Sequence, residues 1–433
     1  GKRARGSSAR TQSPTARSRP RPRPRSLTSI AIWIRCPFLA ITAAARAAKG
    51  SKTMHDPNTE LVKHHDEDLR RYQEQGTARA LQLGNRGPLR FDAKGRLDPH
   101  ILNQYKTHGF YVFEGVLDDQ ELSELEADIQ TIQKRAPASP KSTVDQNGHA
   151  ALGHDLTGKN FGWVAPLSDP VGGTSKNQGR HPVKMHEPQP PSDAPDHVLQ
   201  IILGSLQFSD ACLRLYGHPQ LLAVAEAVNG SDFTPFNEAI WLKHPHLGGS
   251  VAWHQDGTTQ WDRPDFDEGT HGFNFMAQLY GSDAENGLWV VPGSHTGLAD
   301  IKNMMLAAGS DRLTNAVPMI CAPGDVAICN RQAVHGSFAN TSSKPRVTLN
   351  FGFHRRGSVF GSIGNGIHSP ATVYDSERIF ERAKMIAYGI SARAQHRPEE
   401  PSYTYAPLKG HTMTWEEALR PAIKDYNLLD LGI

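Results

Sequence analysis

The residues of this 433-residue chain that are best suited to chemistry are two histidines and one aspartate. His254 and Asp256 lie two positions apart in the segment Trp253–Gly257, and His335 follows 79 positions after Asp256. On an extended segment, side chains two apart project from the same face, so His254 and Asp256 can reach one metal ion. His335 must then come from a second strand that folds back beside the first. Two imidazoles and one carboxylate leave the opposite side of an octahedral ion open, which is the arrangement of non-haem Fe(II) oxygenases.

A strand with one polar face follows the second histidine. Alternation over 346–354 puts Arg346, Thr348, Asn350, Gly352 and His354 on one side and Val347, Leu349, Phe351 and Phe353 on the other. A polar face inside a β-sandwich is costly unless it lines a cavity or meets a ligand. Because a guanidinium offers a planar fork of donors, we expect Arg346 to bind the distal carboxylate of a dicarboxylate co-substrate. The alternative is a structural Arg346 paired with a core aspartate.

The segments around these residues resemble a known family. Glu285–His295 lies between the two halves of the triad, and Gly324–Val326 and His335–Asn340 surround its second half. In order and spacing they are similar to the phytanoyl-CoA dioxygenase family of 2-oxoglutarate-dependent oxygenases, and the resemblance is specific over roughly 236–354.

This resemblance implies Fe(II), 2-oxoglutarate as co-substrate and O2. It implies that the catalytic metal ligands are His254, Asp256 and His335, and that Arg346, Ser337 and Gln255 surround the 2-oxoglutarate. Relatives that halogenate carry a small residue in place of the carboxylate, so the presence of Asp256 favours hydroxylation, or another oxidation, over halogenation.

The remaining patterns predict a mainly β fold with flanking helices. Short β-rich segments separated by Gly, Pro and Asn turns are typical of an antiparallel sandwich or jelly roll rather than of βαβ units. They are 236–243, 272–280, 287–291, 317–321, 325–329 and 346–354. We therefore expect a double-stranded β-helix (jelly roll, cupin-like). A helix capped by Asp118 is expected near its start, and a single buried helix over Cys212–Val228.

Composition divides the chain into four predicted parts. They are a disordered basic leader at 1–53, a polar helical extension at 54–96, a jelly-roll oxygenase domain at 97–375, and a C-terminal helical extension at 376–433. The oxygenase domain contains a loop-rich insertion at 136–197, and loops of this length are commonly lids or binding loops. Four of its histidines, His149, His154, His181 and His186, are expected to be exposed to solvent rather than to form a second metal site.

Charge is distributed unevenly along the chain. Of the 47 Lys and Arg residues, 13 lie in 1–53, which has no Asp or Glu; the other 34 accompany 44 acidic residues, a balance of −10. An acidic body argues against a nucleic-acid partner, whose phosphates require a basic face. It gives no support to CoA thioesters either. The four cysteines (Cys36, Cys212, Cys321 and Cys329) show no metal-binding spacing and are expected to be buried thiols in a reducing compartment.

The basic leader allows two interpretations. Its Arg-rich, Ser-rich and acid-free composition fits an organellar transit peptide, while Met54 could instead be the true initiator, leaving the leader outside the mature protein. The apolar run over 27–45 is interrupted by Arg35 and Pro37, so no membrane span is expected. The expected location is cytoplasmic, or mitochondrial if the leader is a transit peptide.

The sequence thus predicts an Fe(II)- and 2-oxoglutarate-dependent dioxygenase that hydroxylates a small organic molecule and releases succinate and CO2. The alternative is a catalytically silent jelly-roll binding protein of the same fold. A zinc hydrolase that uses the two histidines and the aspartate would leave Arg346 unexplained. No pattern in the sequence predicts an oligomeric state or names the substrate.

Overall fold

Two β-sheets form the centre of the structure, a computed structural model that describes residues 57–156, 159–257, 272–364 and 372–423. Side chains are described from residue 66 onward. The strands are β1 (Arg86–Pro88), β2 (Phe110–Glu114), β3 (Phe161–Val164), β4 (Val198–Leu203), β5 (Thr234–Lys243), β6 (Val251–His254), β7 (Phe273–Gln278), β8 (Trp289–Val290), β9 (Val317–Pro318), β10 (Val326–Asn330), β11 (His335–Ser337), β12 (Arg346–His354), β13 (Ile363–Gly364) and β14 (Thr372–Val373).

Helices flank these sheets. They are α1 (Pro57–Gln82), α2 (Pro99–His108), α3 (Asp119–Arg135), α4 (Ser205–Phe208), α5 (Asp210–Tyr216), α6 (Pro219–Asn229), α7 (Ile301–Ala308), α8 (Arg356–Val359) and α9 (Ser376–His396). Short 3-10 helices occur at Lys176–Gly179, Ser294–Thr296, Ala406–Leu408 and Glu417–Ile423. None of the helices in these ranges is long and apolar enough to cross a membrane.

The strand order is that of a double-stranded β-helix. From β5 to β12 the chain passes back and forth between the sheets, with β8 and β9 as a consecutive pair in the smaller one. The resulting antiparallel orders are β10-β7-β12-β5 in the larger sheet and β6-β11-β8-β9 in the smaller one. The larger sheet is extended by β2 and β1 on one edge and by β4 and β3 on the other. The predicted fold class is confirmed.

The two faces of β12 divide the molecule into a core and a cavity. The side chains of Val347, Leu349, Phe351 and Phe353 join the main hydrophobic core, which also contains buried residues of α3, α5, α6 and α9. The side chains of the opposite face are buried as well, and Thr348 Oγ1 donates to Gln278 Oε1 of β7 at 2.8 Å. The alternation read from the sequence therefore separates helix-packing residues from residues that face the inside of the β-helix.

Two predicted helices differ from the structure. The single helix expected over Cys212–Val228 is wrong: α5 ends before Gly217, and α6 begins at Pro219. Proline lacks the N–H that would continue α5, but it fits the first turn of a new helix. A β-carbon on Gly217 would lie 2.1 Å from the carbonyl of Gly389, so glycine here allows α5 and α9 to cross closely. The predicted cap of α3 is present, since Asp118 forms a capping box with Glu121.

The predicted extensions and the insertion all contribute to the sheets or their surroundings. In α1, the ring of Tyr72 stacks on Trp289 of the small sheet at 4.5 Å, and its hydroxyl donates to the Leu313 carbonyl at 2.8 Å. The insertion contributes β3, which pairs with β4 at the edge of the large sheet. The predicted leader lies outside the described residues. Within them, the thiols of Cys212, Cys321 and Cys329 are free and buried, as expected.

Candidate metal centre

The β-helix brings the predicted metal ligands together by strand pairing. In the antiparallel pair of β6 and β11, His335 lies directly opposite His254. Asp256 follows the end of β6, where its backbone N–H donates to the Arg331 carbonyl at 2.9 Å. One ligand atom from each of His254, Asp256 and His335 lies within 4.8 Å of the others, and all three residues are buried.

Both imidazoles are oriented with the same nitrogen toward the cluster. Nδ1 of His254 lies 2.8 Å from the Ala252 carbonyl, and Nδ1 of His335 lies 2.9 Å from the Ala333 carbonyl. Because a carbonyl only accepts, each Nδ1 donates, and each Nε2 keeps a lone pair for a metal. The two Nε2 atoms lie 3.4 and 4.0 Å from the carboxylate oxygens of Asp256. Burial and then the neighbouring His254 lower the pKa of His335 to about 4, which favours the neutral, ligating form.

Asp256 is kept ionised by two arginines. Burial alone would raise its pKa, but Arg331 and Arg180 outweigh this and hold the pKa of Asp256 well below its usual range. Arg331 Nε lies 3.4 Å from Oδ2, and the guanidinium is fixed by the ring of Phe236 at 3.6 Å and by His354 Nε2 at 2.9 Å. Oδ1 is buried and accepts no hydrogen bond from the described residues. Together with the two Nε2 atoms it forms a donor set that fits a divalent cation.

A pair of buried cations lies on the interior face of the larger sheet. Arg346 and Lys243 are opposite each other in the pairing of β12 with β5, and they are only 5% and 2% exposed. Arg346 Nη1 donates to the Asn286 carbonyl at 3.0 Å, whereas its Nε is buried without a hydrogen-bond partner; the Lys243 ammonium donates to the Phe338 carbonyl. Burial lowers the pKa of Arg346 to about 10, and burial and Arg346 lower that of Lys243. No acidic side chain in the described ranges forms an ion pair with either cation, so the predicted alternative of a core aspartate is not observed.

The other two predicted co-substrate contacts, Ser337 and Gln255, differ in whether their polar atoms already have hydrogen-bond partners. Ser337 lies two positions after His335 on β11, and its hydroxyl is buried with no hydrogen-bond partner among the described groups. Gln255 is fully engaged: its amide nitrogen donates to the carbonyls of Ser294, Gly297 and Gln332, and its oxygen accepts from the Ala299 N–H. This geometry gives Gln255 a role in holding the 294–299 loop beside β6, and its contact with the co-substrate stays a prediction.

Two residues near the cluster were not predicted from the sequence. Arg180 and His181 belong to the insertion, yet both are buried, and the His181 ring lies 4.2 Å from that of His254. The expectation that His181 is exposed is therefore wrong, while His149, His154 and His186 are exposed as expected. A lone Arg-His pair between Gly179 and Pro182 has no periodicity from which burial could have been inferred.

The fold and the cluster define a jelly-roll protein with a His-Asp-His candidate metal centre. Residues 189–348 match the family model described as Phytanoyl-CoA dioxygenase (PhyH), and this range includes the triad and Arg346. This match confirms the resemblance to the phytanoyl-CoA dioxygenase family that is seen in the sequence. The Phytanoyl-CoA dioxygenase domain-containing protein 1 of Bos taurus is 23% identical over 279 residues, which cover 59% of this chain and 89% of the relative.

Solved structures with similarity to this chain include EctD and SnoN. EctD from S. alaskensis with 2-oxoglutarate and 5-hydroxyectoine has a TM-score of 0.44 and 17% identity, covering 66% of this chain and 86% of EctD. The non-heme alpha-ketoglutarate-dependent epimerase SnoN from nogalamycin biosynthesis has a TM-score of 0.41 and 18% identity, covering 62% of this chain and 85% of SnoN. The strand order of the chain itself defines the jelly-roll fold.

Proposed function

We propose that this chain is an Fe(II)- and 2-oxoglutarate-dependent dioxygenase that hydroxylates a small organic molecule with release of succinate and CO2. The observation that carries the proposal is the combination of an intact His254–Asp256–His335 cluster with a buried Arg346 that has no acidic partner among the described residues. The cluster by itself would also suit a zinc hydrolase, and a buried arginine by itself could serve stability alone. Together, the cluster supplies ligands for a divalent cation, and Arg346 supplies a positive charge for a dicarboxylate.

The types of ligand atom in the triad are those that bind Fe(II) in proteins. Two neutral imidazoles and one carboxylate form the facial set of non-haem Fe(II) oxygenases, in which three positions remain for other ligands. When bound, Fe(II) with 2-oxoglutarate and O2 supplies the oxidising chemistry: one oxygen atom enters succinate and the other enters the substrate. The protein holds each imidazole through a backbone carbonyl, and Arg331 keeps Asp256 ionised, so the three ligands are oriented before a metal arrives.

Arg346 and Lys243 supply the complementary charge for the co-substrate. A buried cation without an anion is costly, and two adjacent ones match the double negative charge of 2-oxoglutarate. We assign Arg346 to its distal carboxylate and Ser337, whose hydroxyl is buried and unpartnered, to a hydrogen bond with the same molecule. Lys243, paired with Arg346 across β12 and β5, lies where it can strengthen this site.

The first test measures binding of Fe(II) and 2-oxoglutarate, because this measurement does not require the primary substrate to be known. Under anaerobic conditions, calorimetry should detect 2-oxoglutarate binding only after Fe(II) has been added, and His335→Ala should abolish both events. In air, the wild-type protein should release succinate from 2-oxoglutarate in an Fe(II)-dependent manner, and untargeted metabolite profiling should then find the oxidised substrate.

The same experiments discriminate against the other functions. Binding of Fe(II) and 2-oxoglutarate without succinate in the presence of a metabolite extract would assign the chain to a silent binding protein. Binding of Zn(II) with no effect of 2-oxoglutarate would favour a hydrolase and leave Arg346 without a role. The acidic balance of residues 54–433 supports a small molecule rather than a nucleic acid as the substrate.

A further inference from the structure

The insertion places a guanidinium beside the metal cluster. Arg180 is buried, and its Nη1 lies 3.2 Å from Asp256 Oδ1, the carboxylate oxygen that is also 3.4 Å from His254 Nε2. Its Nε is buried too and donates to no group in the described part of the chain. Arg180 thus has donor capacity directed into the site that the protein itself does not use.

Asp256 alone does not account for Arg180, because it already has a partner. Arg331 contacts Oδ2, and its guanidinium is fixed by Phe236 and His354. One carboxylate therefore serves two buried guanidiniums, which leaves an excess of positive charge next to the metal position. A bound divalent cation would increase that excess. Burying a charge without a counter-charge is strongly unfavourable, so the arrangement calls for a further anion.

The co-substrate does not supply that anion in the proposed arrangement. Arg346 and Lys243 already provide two cations for 2-oxoglutarate, and they lie on β12 and β5 of the larger sheet. Arg180 comes instead from the loop-rich insertion, next to Asp256, which follows β6 of the smaller sheet. Beside it, His181 lies against His254 and has a buried Nδ1 without a hydrogen-bond partner in the described ranges.

The insertion has its own hydrogen bonds that position Arg180. The buried carboxylate of Asp169 accepts from the backbone N–H groups of Gly172 and Met185, both at 2.8 Å, so it ties together the two arms that flank Arg180. The His181 carbonyl accepts from the Gly173 N–H at 2.9 Å. Met185 is buried in the cluster of Ala252 and Trp253, beside β6. These contacts hold the segment around Arg180 in a defined conformation beside β6.

We propose that Arg180, with His181 beside it, binds an anionic oxygen group of the primary substrate next to the metal centre. The group is a carboxylate or a phosphoryl group, since both accept hydrogen bonds from a guanidinium fork. This proposal rests on the proposed function and narrows its substrate class to organic acids or phosphorylated molecules.

The test uses the full chain loaded with Co(II) as a spectroscopic substitute for Fe(II) and saturated with 2-oxoglutarate. Butyrate, phosphate and the neutral butyramide are titrated in turn, and the visible absorption of Co(II) is recorded. Wild-type protein is compared with Arg180→Gln and with Arg180→Lys. Lys176→Gln is the matched control, because it removes one positive charge from an exposed position of the same insertion.

Butyrate or phosphate should change the wild-type spectrum saturably, whereas butyramide should not. Arg180→Gln should weaken that response about tenfold or more, as expected for loss of a hydrogen bond to a charged group. Arg180→Lys should be intermediate, and Lys176→Gln should match the wild type. Which of the two anions acts decides between a carboxylate and a phosphoryl group.

A purely structural role for Arg180 predicts a different change in the affinity for Co(II). If Arg180 only stabilised Asp256, Arg180→Gln would bind Co(II) more weakly. Under the proposal its Co(II) affinity stays the same or rises, because a positive charge near the metal has been removed. Thermal unfolding of Arg180→Gln and Arg180→Lys shows that the compared proteins are folded.

Several results would overturn the inference. They are the absence of any saturable anion response in the wild type, an equal response to butyramide, an unchanged response in Arg180→Gln, or loss of 2-oxoglutarate binding in Arg180→Gln, which would assign Arg180 to the co-substrate. If the wild-type protein binds neither Co(II) nor 2-oxoglutarate, the proposed function fails and this inference fails with it. The two failures are therefore distinguishable in the same titration.

Discussion

Two regions of the molecule meet at Asp256, and they differ in how their conformation is fixed. The metal cluster comes from β6 and β11, where His254 and His335 are held opposite each other by a strand pairing that the rest of the β-helix supports. Arg180 comes from the insertion, most of which has no regular structure and which is tied together by the side chain of Asp169. The first region is fixed by strand pairing within the sheets, and the second by turns and by hydrogen bonds from a side chain to the backbone.

This difference indicates a division of labour. A metal site requires ligand positions accurate to a fraction of an ångström, which paired strands supply. A substrate contact on a loop can change by insertion or substitution without disturbing the sheets. We therefore expect that the strands determine the type of chemistry and that the insertion determines which molecule undergoes it. Variants in each region should therefore change one of these roles and leave the other intact, unless the two regions form one unit.

The largest effect is expected in the triad. His254→Ala, Asp256→Ala and His335→Ala should each abolish succinate formation and weaken metal binding by more than about 100-fold, because a direct ligand matters more than its supporting residues. Asp256→Ala also leaves Arg331 and Arg180 without a counter-charge, so it should be the least stable of the three in thermal unfolding. Succinate production like that of the wild type in any of these variants would falsify the assignment.

Arg346→Ala should act on the co-substrate and spare the metal. Truncating one partner of a buried charge pair costs about 2–5 kcal/mol, so the affinity for 2-oxoglutarate should fall by at least about 30-fold. Calorimetry with Co(II)-loaded protein measures this, and Arg346→Lys, which keeps the charge, is the control. If the affinity for 2-oxoglutarate does not change, Arg346 is structural and Lys243 is the better candidate for the carboxylate.

Asp169→Ala should affect the insertion alone. It leaves the buried N–H groups of Gly172 and Met185 without an acceptor, which costs about 1–3 kcal/mol for each group and should loosen the loop around Arg180. Limited proteolysis should become faster within 136–197, and the response to anions should weaken as in Arg180→Gln. Loss of metal binding in Asp169→Ala would show that the insertion and the strands form one unit, which contradicts the division proposed here.

A smaller and pH-dependent effect is expected from Glu238, which lies on β5 and contacts α4 through Ser205. Burial raises its pKa from 4.5 to about 7. Between these values the folded state keeps a proton that the unfolded state has lost, so stability should decrease as the pH rises through this window, by on the order of 3 kcal/mol in total. Denaturant unfolding at several pH values should show this slope in the wild type. In Glu238→Gln the slope should be reduced; an unchanged slope would mean that another group causes it.

The parts of the site that could be predicted from the sequence lie on strands or directly after them, where side chains alternate between two faces. The alternation of β12 places Arg346 on the same side as Thr348 and Asn350, and the two-residue spacing of His254 and Asp256 brings both to one cluster. Strand geometry alone fixes those relationships, and no tertiary information is needed. The break between α5 and α6 was also signalled locally, by Pro219, but the apolar pattern continues across it.

The remaining features depend on long-range contacts that leave no local pattern. Arg180 is 76 positions from Asp256, and its burial results from where the insertion folds, not from the polarity of its neighbours. Gln255 was assigned to the co-substrate by family resemblance, but four backbone groups of other segments engage its amide. Such assignments require knowledge of which loops lie next to β6.

The smallest effect is expected from removing the basic leader. Residues 1–53 have no acidic side chain, whereas the rest of the chain has an acidic balance, and all residues assigned here to the metal, the co-substrate and the substrate lie between 180 and 346. A chain starting at Met54 should therefore bind Co(II) and 2-oxoglutarate like the full chain and should remain as soluble. Aggregation or loss of binding would show that the leader belongs to the folded unit and that the predicted boundary is wrong. If binding is retained, comparing the two chains in cells tests the transit peptide: a change of compartment supports that interpretation, and an unchanged location contradicts it.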